Sequence, residues 1–121
     1  VTRPGPVDPP AGPVAPDRLA RAVDQLLNQI SHWTPSRWAA SRGVRADQVH
    51  ALAQALADAE ARCTGRAVRP VPRLESDTVL PDQIRVLAAD LLAAGPDPDT
   101  LATALRTVEA TRTTLAHRPP G

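Results

Sequence analysis

Apolar residues recur along this chain at alternating steps of four and three, the period that lines one face of an α-helix. Leu19, Val23, Leu26, Ile30 and Trp33 form the first such seam and predict a helix over 17–33. Val49, Leu52, Leu56, Ala59 and Cys63 predict another over 45–63, with Gly65 where a helix end takes a left-handed residue. A short helix over 35–41 fits between them. Leu80, Ile84, Leu87, Leu91 and Ala94 predict a helix over 80–94, with Pro81 in its first turn and Gly95-Pro96 at its end. Asp97-Pro98 then opens a helix over 98–115, carrying Leu101, Leu105, Val108 and Leu115. The expected fold class is all-α: a small four-helix bundle, or five helices counting the short one.

Two details of the pattern bear on packing. The turn between the last two helices is so short that they are expected to lie antiparallel as a hairpin. Arg112 falls on the fourth seam where an apolar residue is due. A buried unpaired arginine is costly, so the helix is expected to fray there rather than to drift onto Ala104 and Thr111. Residues 65–78 follow neither helical nor strand period and carry Pro70 and Pro72. They are read as a segment crossing the length of the bundle.

A chain of 121 residues suits one domain, here residues 17–116. Pro4, Pro6, Pro9, Pro10, Pro13 and Pro16, with Gly5 and Gly12, mark 1–16 as a disordered tail, and 117–121 as a second, short one. The first sixteen residues lack the basic start and apolar run of a signal peptide. No stretch approaches the ~20 apolar residues of a membrane span, and Cys63 has no cysteine to pair with. A cytoplasmic location without membrane partners is the expectation.

Composition changes the picture in one respect. Lys, Met, Phe and Tyr are absent, Asn occurs once and Ile twice, while Ala, Arg, Pro and Leu abound. The scarce residues use AT-rich codons, so a GC-rich bacterial genome is inferred, with Val1 as a GTG start translated literally. The arginine-only basic set then reflects codon usage, and a net charge of +1 gives no global pull toward nucleic acid or anionic membrane.

Every aromatic ring of the chain lies in Trp33-Thr34-Pro35-Ser36-Arg37-Trp38. Thr34 suits an N-cap and Pro35 the first helical position, which places Trp33 before the cap and Trp38 at the fourth helical residue. Those two positions form a hydrophobic staple. Such a pair either closes the end of the bundle or, flanked by His32 and Arg37, anchors a partner in the manner of an interface hot spot.

From Pro35 to Gln54 the chain also resembles a helix-turn-helix. Trp38-Ala39, Gly43-Val44, Val49 and Leu52 stand where that motif places its packed alanine, its turn glycine and the apolar face of its second helix. The resemblance implies that Arg45, Gln48, His50 and Gln54 face base edges, that Arg37 and Arg42 lie near phosphates, and that the last two helices dimerise. Arg45-x4-His50 and Arg112-x4-His117 resemble, more remotely, the Arg-x4-6-His spacing of HEPN-type ribonucleases.

Arg62, Arg66, Arg69 and Arg73 surround the crossing segment, and the acids that follow, from Glu75 to Asp99, offer them intramolecular partners. Free of those acids, they would meet phosphate or an acidic partner, and Val71-Pro72-Arg73-Leu74 would lie extended on the bundle or in a partner's groove. Phosphate loops, His-Glu-x-x-His, nucleophile elbows and clustered metal ligands are missing from the sequence. Neither catalysis nor a cofactor is therefore expected. The leading reading is a non-enzymatic protein-protein interaction module, or a self-associating one, with Trp33, Arg37, Trp38, Arg69 and Arg73 at the contact. A small DNA-binding protein using 35–54 is second.

Overall fold

The computed structural model describes residues 15–116 and contains four α-helices and no strand among them. Of the predicted tails at 1–16 and 117–121, residues 1–14 and 117–121 lie outside the described residues. Helix α1 spans Pro16–Ile30, α2 Pro35–Thr64, α3 Leu80–Ala93 and α4 Pro98–Ala116, with one 3-10 turn at Asp77–Val79 before α3. Each helix carries proline in its first turn, where no intrahelical N–H partner is lost. Pro16, assigned to the tail by composition, thus opens α1. That helix stops three residues short of the expected end, and Trp33 sits in the turn that follows, its N–H donating to the Ile30 carbonyl at 3.1 Å.

The seams account for most of the core. Leu19, Val23, Leu26 and Ile30 of α1, Val49, Leu52, Leu56 and Ala59 of α2, and Leu101, Leu105, Val108 and Leu115 of α4 are all buried, and among the described residues no polar or charged residue is buried with them. In α3 the inward face is Leu80, Ile84, Ala88 and Leu91, so Leu87 and Ala94 rotate to the rim.

Helix α4 does not fray at Arg112. It continues regularly to Ala116 with Leu115 inside. The seam drifts instead: Ala104 is buried and Thr111 half-buried. Arg112 then lies on α1, its Nη1 donating to Gln25 Oε1 at 2.9 Å, while its carbonyl accepts from Gln29 Nε2 at 3.3 Å. Asp97 caps this helix, Oδ1 accepting the Thr100 N–H at 2.7 Å. That bond, reinforced by the Thr100 hydroxyl, holds the Asp97 carboxyl below the usual carboxylate range.

The expected α3–α4 hairpin is not formed. Helices α1 and α2 each pack on both α3 and α4, whereas α1 and α2, and likewise α3 and α4, lie across the diagonals with no Cα pair within 8 Å among the described residues. The fold is two splayed helix pairs, each helix of one gripping both helices of the other. A short turn fixes where two helices meet and leaves their angle to packing. At the α1–α2 corner the Trp33–Trp38 pair fills the space between them, and the crossing segment returns the chain so that α3 lies beside α2.

Helix α2 is broken near its start, close to the boundary expected between 41 and 45. Ala40 is extended (ψ 148°), and Ser41, Arg42 and Gly43 are all left-handed, at φ 55°, 61° and 75°. A left-handed residue with a Cβ costs roughly 1–2 kcal/mol. The turn persists because it directs Trp38 on one side and Ala46 on the other into the same core. Arg42→Gly is therefore expected to stabilise the protein by about 1 kcal/mol, once glycine's greater freedom in the unfolded chain is set against the relieved strain. A urea midpoint that rises at unchanged slope would bear this out, and a lowered midpoint would show the turn to be held by the Arg42 side chain.

Candidate functional site

The Trp junction is a staple in full geometry. Thr34 is extended (ψ 161°) and its Oγ1 accepts the Arg37 N–H at 3.2 Å, while the Trp38 N–H reaches the Thr34 carbonyl at 3.1 Å. This cap, in which Thr34 accepts both bonds, brings the residues on either side of it together. The indoles meet edge to face, 4.9 Å between centroids and 61° between planes, a favoured arrangement for two quadrupoles. Trp33 is 6% exposed and Trp38 1%. The rings are core, and what the junction presents to solvent is arginine: the Arg37 guanidinium lies 4.5 Å from the Trp33 centroid and that of Arg45 5.8 Å.

The crossing segment is bound to the face of α2 that the helix-turn-helix resemblance assigns to bases. Gln54 Nε2 donates to the Arg69 carbonyl at 2.9 Å, and its Oε1 accepts the Val71 N–H at 2.7 Å, an amide pairing like one rung of a β-ladder. One helical turn earlier, His50 Nε2 lies 2.8 Å from the Val71 carbonyl and must donate, since a carbonyl only accepts. Arg73 closes the attachment by bridging Asp47 of α2 at 3.0 Å and Asp77 at 3.2 Å. Asp47 above all, with Asp77, raises the guanidinium pKa further. Segment 69–73 is thus laid extended along the bundle, as one of the two sequence readings has it.

The remaining residues of the base-reading set are dispersed. Gln48 lines a crevice with Thr107 and Thr111 of α4, on another side of α2 from His50 and Gln54. Arg42 lies exposed on the left-handed turn. Of the two Arg-x4-His pairs, the first is divided between Trp33, on which Arg45 leans, and Val71, which holds His50. The second includes His117, outside the described residues. Among the described residues no three His, Cys, Asp or Glu side chains gather as a metal site.

Docking the segment creates a surface that residue-by-residue reading misses. Pro70, Pro72 and Leu74 on one side and Val79, Val86 and Leu87 on the other line an open groove of about 460 Å³ whose walls are almost wholly apolar. Val86 is 58% and Leu74 48% exposed, although both are large hydrophobic residues. Arg69 and Asp82 stand on the rim. Asp82 is paired with Arg85 at 2.6 Å, whereas Arg69 has no carboxylate within ion-pair distance among the described residues. Gln83 also lines the groove; its Nε2 donates to the Pro72 carbonyl at 3.2 Å and its Oε1 is buried without a hydrogen-bond partner. The signal for this groove was Val86, an apolar residue off the α3 seam, but its meaning depends on where Leu74 falls.

No helix among the described residues is long and apolar enough to cross a membrane. No protein-family model, curated protein or solved structure matches this chain, so its fold and its surfaces are the whole basis for reading what it does.

Proposed function

We propose that this protein is a non-enzymatic protein-protein interaction module, and that the groove between segment 69–74 and α3 receives a short segment of a partner protein. The observation that carries the reading is one apolar trough whose walls leave large hydrophobic residues exposed. Exposed Val86 and Leu74 supply area to be covered, and the charged rim at Arg69 fixes orientation in an otherwise featureless channel. The occupant is a segment with two or more apolar side chains and a carboxylate at the Arg69 end, because that rim charge lacks an acid of its own while the Asp82 end is already neutralised. A cytosolic setting belongs to the proposal and rests on the lone thiol Cys63.

The test is selection of phage-displayed random peptides on the full chain. Enriched peptides are expected to share paired apolar residues beside an acid. They should lose at least about tenfold in affinity to Val86→Arg, since a charge driven into an apolar contact costs more than 1.4 kcal/mol. Peptides indifferent to both Val86→Arg and Leu74→Arg would refute the site. A concentration-dependent dimer dissolved by Val86→Arg would refute the occupant, giving the groove to a second copy of the chain.

A further inference from the structure

Among the described residues, the Trp junction holds charge that no carboxylate neutralises. From Gln25 to Ala46 the chain contains no acidic residue, yet it carries Arg37, Arg42 and Arg45. The nearest acid in sequence after them, Asp47, is taken by Arg73. Among the described residues none of the three arginines has a carboxylate within ion-pair distance, although Arg66, Arg73 and Arg85 elsewhere each have one.

Two of the three are also fixed in place. Arg37 and Arg45 lean on the same indole, at 4.5 and 5.8 Å from its centroid, so their guanidinium carbons lie within about 10 Å of one another. That upper bound is close to the ~8–10 Å over which repulsion between like charges survives moderate salt. Arg45 is half-buried and its Nε is buried with no acceptor. A partly desolvated cation without a counter-ion is unfavourable. The cation–π contacts hold both groups against a buried ring, which lowers the entropy lost when a ligand engages them.

We infer that Arg37 and Arg45, braced on Trp33, form a binding site for a phosphate-type oxyanion. One tetrahedral anion accepts from both guanidinium forks, relieves their repulsion and supplies the counter-ion that Arg45 lacks. Arg42, on the adjoining left-handed turn, adds long-range attraction. The site stands apart from the groove and does not depend on it.

Both tryptophans of the chain are at this site, so intrinsic fluorescence reads it directly. The full chain is titrated with sodium phosphate at constant ionic strength, with chloride as the control, and separately with a random DNA duplex. A saturable phosphate-specific change is expected, weakened about tenfold or more in Arg37→Gln and in Arg45→Gln, the scale of one lost charge-assisted hydrogen bond. Arg18→Gln, an exposed arginine of α1, serves as the control variant and should titrate as the parent does. Phosphate saturating without duplex binding places the anion on a small ligand. Duplex binding lost in the same two variants places it on a nucleic-acid backbone. A response equal to that of chloride for both ligands, or one surviving in both variants, overturns the site. Val86→Arg should leave the titration unchanged, which separates failure here from failure of the groove.

Discussion

Trp38→Ala is expected to remove about 3–5 kcal/mol of folding stability, the range for deleting a large buried aromatic. Its ring is the largest fully buried side chain of the protein and is 1% exposed. Domains of this size are held by roughly 5–15 kcal/mol in total. The many alanines of this core, Ala22, Ala46, Ala53, Ala59, Ala88 and Ala104, bury little area each and leave a gap of that size nothing with which to refill. The damage also spreads by contact: Trp33 loses its edge-to-face partner, and with it the ring that braces Arg37 and Arg45. Urea denaturation followed by circular dichroism should show the midpoint falling by on the order of 2 M. Trp38→Phe, which keeps an apolar ring in the gap, should lose distinctly less. A midpoint unmoved by the alanine variant would mean that the junction is not part of the core.

The second large effect is expected at Gln54. Replacing it by alanine removes the acceptor of the Val71 N–H and the donor to the Arg69 carbonyl in one step, leaving two backbone groups of the crossing segment unpaired. An orphaned backbone group costs about 1–3 kcal/mol if it stays out of water, so the segment is expected to lift off α2 rather than remain docked. Exchange of the Val71 amide hydrogen should accelerate roughly 10- to 100-fold, since each 1.4 kcal/mol of local stability is a factor of ten. Melting of the helices should change much less. His50→Ala deletes a single bond to the same segment and should fall between the parent and Gln54→Ala. Loss of global stability without local acceleration at Val71 would show that the segment is held by packing of Val71 on the core instead.

The helices were legible because their information is local. Seams such as Leu19, Val23, Leu26, Ile30 and the cap Thr34-Pro35 need no knowledge of the rest of the chain, and they place the elements to within a few residues. The break at 40–43 was legible through Gly43, although the two left-handed residues before it were not, since serine and arginine carry no preference for that conformation. What could not be read was anything decided by two distant parts at once. His50 and Gln54 look alike whether they face a base or the backbone of segment 69–71, because the same donors and acceptors serve both. The turn at 94–97 is as short for a splayed pair as for a hairpin. Arg112 seemed to demand an open helix end because its partner, Gln25 Oε1, lies 87 residues away. The groove is a further case of the same kind: Leu74 and Val86 become one surface only after the crossing segment has docked.

The groove is tested most directly by the footprint of a selected peptide on the isotope-labelled full chain, mapped by amide chemical-shift changes. The shifts should concentrate at Val71, Leu74, Gln83 and Val86 and vanish in Val86→Arg. Shifts centred on α1 or on the outer face of α4, with those four amides undisturbed, would contradict the assignment of the groove as the place where this protein meets its partner.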